Sequence, residues 1–190
     1  MRLLRYSFYS FLFAIAMLSN AKSYAKSFQV DDRMIVNDTI HEITWLSWEE
    51  MIAAQQVEKK KVFIDVYTQW CGWCKQMDKT TFRDSTLVHH LNEHFYAVKL
   101  DAETKEAFEF NDYHFRFIET GRRGVNELAY SLLDGKLSYP SMVYLNENFE
   151  RILISPGYKN HENMLLEMEY VIDEIYNKMT WKEYRSHLNH

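Results

Sequence analysis

Cys71 and Cys74 are the only cysteines in a chain of 190 residues, and just Gly72 and Trp73 separate them. Two thiols at that spacing can be half of a metal site, a structural staple or a working redox pair. As a staple the pair is weak, because closing so short a loop removes little entropy from the unfolded chain. The run "KVFIDVYT" (Lys61 to Thr68) leads into the pair and is rich in β-branched and aromatic residues, which predicts a buried strand. A helical pattern, "CKQMDKTTF", follows. Cys71 is thereby placed at or just before a helix start, where free N–H groups and the helix dipole stabilise a thiolate, the reactive form of cysteine. Cys74 falls about one turn later, within disulfide reach and more enclosed. One thiol can attack and the other resolve, which is the arrangement thiol–disulfide exchange requires.

The first residues bear on the compartment. Arg2 and Arg5 precede an apolar run from Tyr6 to Ser19, followed by small-residue cleavage candidates ending at Ala21 and Ala25. That order is the pattern of a secretory signal peptide, and the run is shorter than the roughly 18–20 residues a membrane span needs. Residues 1–25 are therefore expected to be a signal peptide, and the protein to be exported and soluble, in the periplasm. A small exported domain that depended on disulfide staples would usually carry several pairs, which weakens the structural reading further.

Residues 1–25 hold three of the 22 Lys/Arg (Arg2, Arg5, Lys22) and no acid, so the remaining 165 residues carry 19 basic against 27 acidic side chains, a balance of −8. An acidic chain without a basic stripe is a poor candidate for nucleic acid or an anionic membrane. Two prolines and five glycines argue against disorder or a long linker.

A polar lead over residues 26–40 has no assignment. "HEITWL" (His41 to Leu46) reads as a strand, and Ser47 with Glu50 forms a capping box that opens a helix to about Glu58. Beyond the cysteine helix, a second helix begins near Asp84 or Ser85, and "YAVKLD" (Tyr96 to Asp101) is the next strand. "AFEFNDYHFRFI" predicts two short strands about an Asn111-Asp112 hairpin turn. "VNELAYSLLDG" is a helix stopped by Gly135. "SMVYLN" and "ERILISP" are strands joined by a tight turn at Glu147 and Asn148. A last helix runs from about His161 to Asn177, and a tail from residue 179 carries Trp181. Strands alternating with helices predict an α/β domain over residues 41–178. Its partly parallel sheet is covered on both faces and ends in an antiparallel edge.

"VFIDVYTQWCGWCK" resembles the active-site strand and helix of the thioredoxin superfamily. Further matches follow in order: Asp65 six residues before Cys71, Lys99 in "AVKLD", Tyr139-Pro140 just before a strand, and Gly157 after the second strand of the terminal hairpin. "TTFRDSTLVHHLNEHFYAVKLDAE" is similar to exported bacterial thioredoxin-like proteins, whose motif is often this same CGWC. The resemblance spans roughly Ile43 to Lys178. It implies a thioredoxin fold with a mixed sheet, helices on both faces, and an inserted hairpin-like segment before a cis proline at Pro140. It also implies that Cys71 is the nucleophile, Cys74 the resolving thiol and buried Asp65 the group that takes or gives the Cys74 proton, with Lys99 tuning its charge. Tyr139 would offer backbone hydrogen bonds to an extended client, and Trp70, Gly72 and Trp73 would form the contact surface about the reactive sulfur.

Each assignment has a plainer reading. Trp70 can be ordinary packing, Asp65 an exposed edge carboxylate and Pro140 a trans proline entering a strand. His90 and His94, four apart on one helix with His89 beside them, can be imagined with the cysteines as a zinc or copper site. A solvated helix face explains them better, and neither metal nor cofactor is expected. The aromatic residues Phe108, Phe110, Tyr113, Phe115 and Phe117 read as core, or else as a widened partner surface. Gly-Trp between the cysteines and Tyr139 before the proline both depart from the common family choices. The sequence thus predicts an exported, monomeric thiol–disulfide oxidoreductase that reduces disulfides in client proteins or peptides and is recharged by a membrane electron donor. The alternatives are a disulfide oxidase or isomerase coupled to a membrane acceptor, and a non-catalytic module that binds a metal or a partner.

Overall fold

The structure is a computed structural model that describes residues 42–188. The expected signal peptide, the lead over residues 26–40 and His41 lie outside these residues. The described residues form one compact unit.

The central strand explains the architecture. In β2 (Lys61–Tyr67), Val62, Ile64 and Val66 point to one face while Phe63 and Asp65 point to the other, and all five are buried. A strand covered on both faces needs a helical layer on each. One layer contains α2 (Gly72–Lys79), α3 (Ser85–His94) and α5 (His161–Ile172). Met77, Leu87, Leu91, Met164, Met168 and Val171 from these helices pack with Phe63. The other contains α1 (Trp48–Val57) and α4 (Glu127–Leu132), whose Trp48, Met51, Leu128 and Leu132 pack with Val62, Ile64 and Val66.

The five-stranded sheet has the order β1-β3-β2-β8-β9, with β1 (Trp45–Leu46), β3 (Phe95–Asp101), β8 (Ser141–Leu145) and β9 (Arg151–Pro156). β2 is parallel to β3 and antiparallel to β8, with Asp65 opposite Lys99 on one side and Met142 on the other. That register brings the end of β2 that leads to the cysteines beside the start of β8, and so beside Pro140. Between β3 and α4 lie two small ribbons: β4 (Phe108–Phe110) with β5 (Tyr113–Phe115), and β6 (Phe117–Ile118) with β7 (Val125–Asn126). Asn111 and Asp112 turn the first ribbon with positive φ angles of 50° and 60°, as a two-residue hairpin turn requires.

Several elements differ from expectation. The first strand is only Trp45–Leu46. The helix expected from Val125 starts at Glu127, because Val125 and Asn126 pair with β6 and Asn126 instead caps the helix through Leu128 N–H. The β8–β9 connection is a five-residue loop in which Asn146 Oδ1 accepts from Asn148 N and Glu150 N. α5 stops at Ile172 because Glu174 adopts a left-handed conformation (φ 53°), and a short 3₁₀ turn, Ile175–Asn177, follows. Residues 179–190 carry a helix, α6 (Trp181–Leu188), with Tyr184 buried against Tyr170 and Trp181. Its signal is legible: Thr180 and Glu183 form a capping box in "TWKE".

Candidate active site

Cys71 is the N-cap of α2, with extended backbone (φ −71°, ψ 105°). Its N–H donates to Thr68 O at 3.1 Å, and its Sγ accepts from Cys74 N–H at 3.0 Å. The two cysteines are joined as a disulfide, with Cα atoms 5.3 Å apart. A sulfur receiving a helix-terminal N–H is the sulfur whose thiolate that helix would stabilise. The expected difference in enclosure is absent in this oxidised form, since both cysteines are 3 % exposed. The bond draws both sulfurs into one site, and the asymmetry that remains lies in the backbone, where only Cys71 occupies the cap.

The rim is aromatic. Trp70 is 50 % exposed and Trp73 63 %, so neither is core packing, and Gly72 between the cysteines is exposed. The Trp70 indole N–H donates to Glu103 Oε1 at 2.9 Å, and its ring meets Tyr139 edge-on at 6.0 Å. Trp73 lies 5.2 Å from Tyr158, a residue the sequence reading missed although it directly follows Gly157. The Tyr139–Pro140 peptide bond is cis and Pro140 is buried. The Pro140 carbonyl accepts from Gly157 N–H at 2.8 Å, and Gly157 has the positive φ (88°) that glycine tolerates best. Burial, reinforced by Glu103 and Asp101, pushes the Tyr139 phenol up to about 12, so it stays neutral at physiological pH.

Asp65 is buried on the face of β2 that carries α2. Its Oδ2 lies 3.6 Å from Lys99 Nζ, and its Oδ1 has no hydrogen-bond partner. Burial raises its pKa to about 6, with Asp78 adding to the rise and Lys99 opposing it. Lys99 also pairs with Asp78, and its ammonium sits over the rings of Trp45, Tyr67 and Phe82 at 5.2, 5.3 and 5.6 Å. Asp78 is a second residue missed from sequence. It lies four positions beyond Cys74 in α2, the spacing that puts two side chains on one helix face. A cavity of about 330 Å³ lined by Glu42, Trp45, Asp78, Phe82, Arg83 and Lys99 connects this charged group with solvent. The buried carboxyl can therefore hold a proton near neutral pH and exchange it by way of the partly exposed Lys99 and Asp78 beside it.

The histidines lie elsewhere. His90 and His94 stack on α3 at 5.7 Å, and His89 Nε2 pairs with Glu93 at 2.8 Å. Among the described residues no three His, Cys, Asp or Glu side chains come together as a metal-ligand set. The inserted aromatics divide by position. Phe108 is buried and, with Phe110, packs on Trp48, and Phe110 also contacts Phe149, whereas Tyr113 is exposed and rests on Phe115.

Comparison with known proteins agrees with this geometry. A model of the Thioredox_DsbH family, described as "Protein of unknown function, DUF255", matches residues 33–189. A thioredoxin-fold protein from Helicobacter pylori is similar in structure, with a TM-score of 0.53 and 16 % identity over 69 % of this chain and 81 % of that one. A candidate disulphide-isomerase from Bacteroides thetaiotaomicron has a TM-score of 0.50 and 25 % identity, covering 68 % of this chain and 93 % of the other. In sequence, 90 residues (47 % of this chain) are 30 % identical to the thiol:disulfide interchange protein DsbD of Pseudoalteromonas atlantica, and 64 residues (33 %) are 31 % identical to spermatogenesis-associated protein 20 of Rattus norvegicus. The matched stretches make up 14 % and 8 % of those two relatives' own lengths.

Proposed function

The chain belongs to the Thioredox_DsbH family, and from that premise we propose that it is a thiol–disulfide oxidoreductase that reduces disulfides in client proteins or peptides outside the cytoplasm. The observation that carries the reading is the Cys71–Cys74 disulfide at the start of α2, on the sheet face where a carboxyl with a pKa of about 6 is buried.

In the reduced protein the Cys71 thiolate attacks one sulfur of a client disulfide. The client S–S bond breaks, the departing sulfur takes a proton, and Cys71 is left in a mixed disulfide. Cys74 then gives its proton to Asp65 and attacks Cys71 Sγ. The client leaves as a dithiol, and the protein is left with the Cys71–Cys74 disulfide present in this structure. Lys99 and Asp78 set how readily Asp65 accepts that proton, while Trp70, Trp73, Tyr139 and Pro140 form the surface the client meets. Two electrons must then be resupplied, and with no third cysteine in the chain they come from a separate donor, a membrane protein if the chain is exported through residues 1–25. The partial likeness to a thiol:disulfide interchange protein supports this exchange role.

Trapping and potential test the reading together. Cys74→Ser should accumulate a mixed disulfide through Cys71 that dithiothreitol releases, and Cys71→Ser should be inactive. Equilibration of the wild-type pair against dithiothreitol should give a potential near −270 mV for a reductase, whereas a value near −120 mV would make the protein an oxidant. The isomerase reading, favoured by the 25 % identity to a candidate disulphide-isomerase, predicts reactivation of scrambled ribonuclease without net consumption of reductant.

A further inference from the structure

The segment inserted between β3 and α4 does more than fill the core. Its return strand is fixed by Asn126, which is wholly buried; its backbone N–H donates to Ala102 O at 2.8 Å, and its side-chain amide donates to Thr104 O and Glu106 O at 3.3 and 2.8 Å. Just before it, the loop closes at Gly124 (φ 76°), where a Cβ would lie 2.3 Å from the Phe117 ring and 2.7 Å from Ile118 O. These two anchored points fix the course of the chain at Arg123, the residue just before Gly124. Its guanidinium lies over Trp70, 4.9 Å from the ring, and Trp70 is covalently next to Cys71.

Resting on the oxidoreductase reading above, we propose that Arg123 is a client-specificity residue: it binds a carboxylate side chain that flanks the client's disulfide cysteine, with Trp70 as the apolar floor of that subsite. Three observations support this. Arg123 is 59 % exposed, so its donors face solvent. A guanidinium lying on an indole keeps its N–H edge free for a bidentate acceptor, the geometry in which arginine outperforms lysine. Glu103, the acid that pairs with it among the described residues, is 4.0 Å away at Oε2, the outer limit of an ion pair, and its Oε1 is already bonded to the Trp70 indole. Glu103 thus ties Trp70 and Arg123 into one lip without satisfying the guanidinium. The Tyr139 ring also meets Trp70, edge-on at 6.0 Å, so the lip adjoins the residue before the cis proline.

The test uses three synthetic peptides with one intramolecular disulfide, identical except for Asp, Ala or Lys beside the attacked cysteine, reduced by the protein with dithiothreitol as electron source. The wild type should prefer the Asp peptide to the Lys peptide by about two- to five-fold in kcat/KM, the scale of an exposed ion pair. The difference should lie in KM and shrink as salt is raised. Arg123→Gln should abolish the preference and Arg123→Glu should reverse it, while Arg122→Gln should leave it in place. Loss of a merely structural contact would weaken all three peptides alike. Equal reduction of the three peptides by the wild type, or an Asp preference that survives Arg123→Glu, overturns the proposal and leaves the oxidoreductase reading standing. Failure of the wild type to reduce any of them overturns both.

Discussion

Asp65→Asn separates what the buried carboxyl contributes to chemistry from what it costs the fold. Burial lifts its pKa from 3.8 to about 6, so between those values the folded protein binds a proton that the unfolded chain has released. Stability therefore falls as pH rises through that window, and the whole penalty is present above about pH 6. At about 1.4 kcal/mol per pKa unit, the penalty comes to about 3 kcal/mol at pH 8 and roughly half of that at pH 5. Asparagine keeps the shape of the carboxyl and never ionises. Asp65→Asn should accordingly stabilise the oxidised protein by up to about 3 kcal/mol at pH 8 and by about 1.5 kcal/mol at pH 5, read by denaturant unfolding at both pH values. The same variant should slow decay of the mixed disulfide on the order of 10²-fold, the low end for loss of a positioned proton acceptor, because the adjoining cavity of about 330 Å³ has room for solvent to stand in for part of the missing base. It should also lose the rise in rate centred near pH 6. A stability gain that does not change with pH, or destabilisation at pH 8, would refute the assignment of Asp65 as a buried, proton-exchanging group.

The charged neighbours should move that titration in opposite directions. Lys99→Met removes the attraction that lowers the Asp65 pKa and should shift the midpoint of the pH–rate profile above 6. Asp78→Asn removes a repulsion and frees Lys99 for Asp65, so it should shift the midpoint downward. Pre-steady-state decay of the mixed disulfide at several pH values checks both. Far from the site, Thr180→Ala breaks the box that starts α6. It should cost about 1 kcal/mol, or about 2–4 °C in Tm by scanning calorimetry, with no change in the Cys71–Cys74 potential.

What was legible in the sequence and what was not divides along the range of the interactions involved. The Ser47–Glu50 box, the strand at Lys61–Tyr67 and the cysteines at a helix start are short-range features, written within a few residues of where they act. Asp65, Lys99 and Tyr139-Pro140 could be named only through family resemblance, since nothing in their own neighbourhoods says that β2 lies between β3 and β8. The break at Glu174 was hidden for another reason: a left-handed residue that is not glycine leaves no mark in composition, and the apolar spacing runs on past it to Ile175. The site residues that went unseen belong with Asp65 and Lys99, since distant segments bring them to the site. Asp78 matters because parallel pairing of β2 with β3 carries Lys99 up against the cysteine helix. Glu103 and Arg123 matter because Asn126 folds the insertion back onto the end of β3. The reactive pair is thus a local feature of the chain, whereas the groups that govern its proton and surround its mouth come from distant segments. Substitutions at Cys71 and Cys74 should therefore act on the exchange chemistry itself, and substitutions at Asp78, Lys99, Glu103 or Arg123 should change its pH dependence or its choice of client while leaving the pair able to cycle.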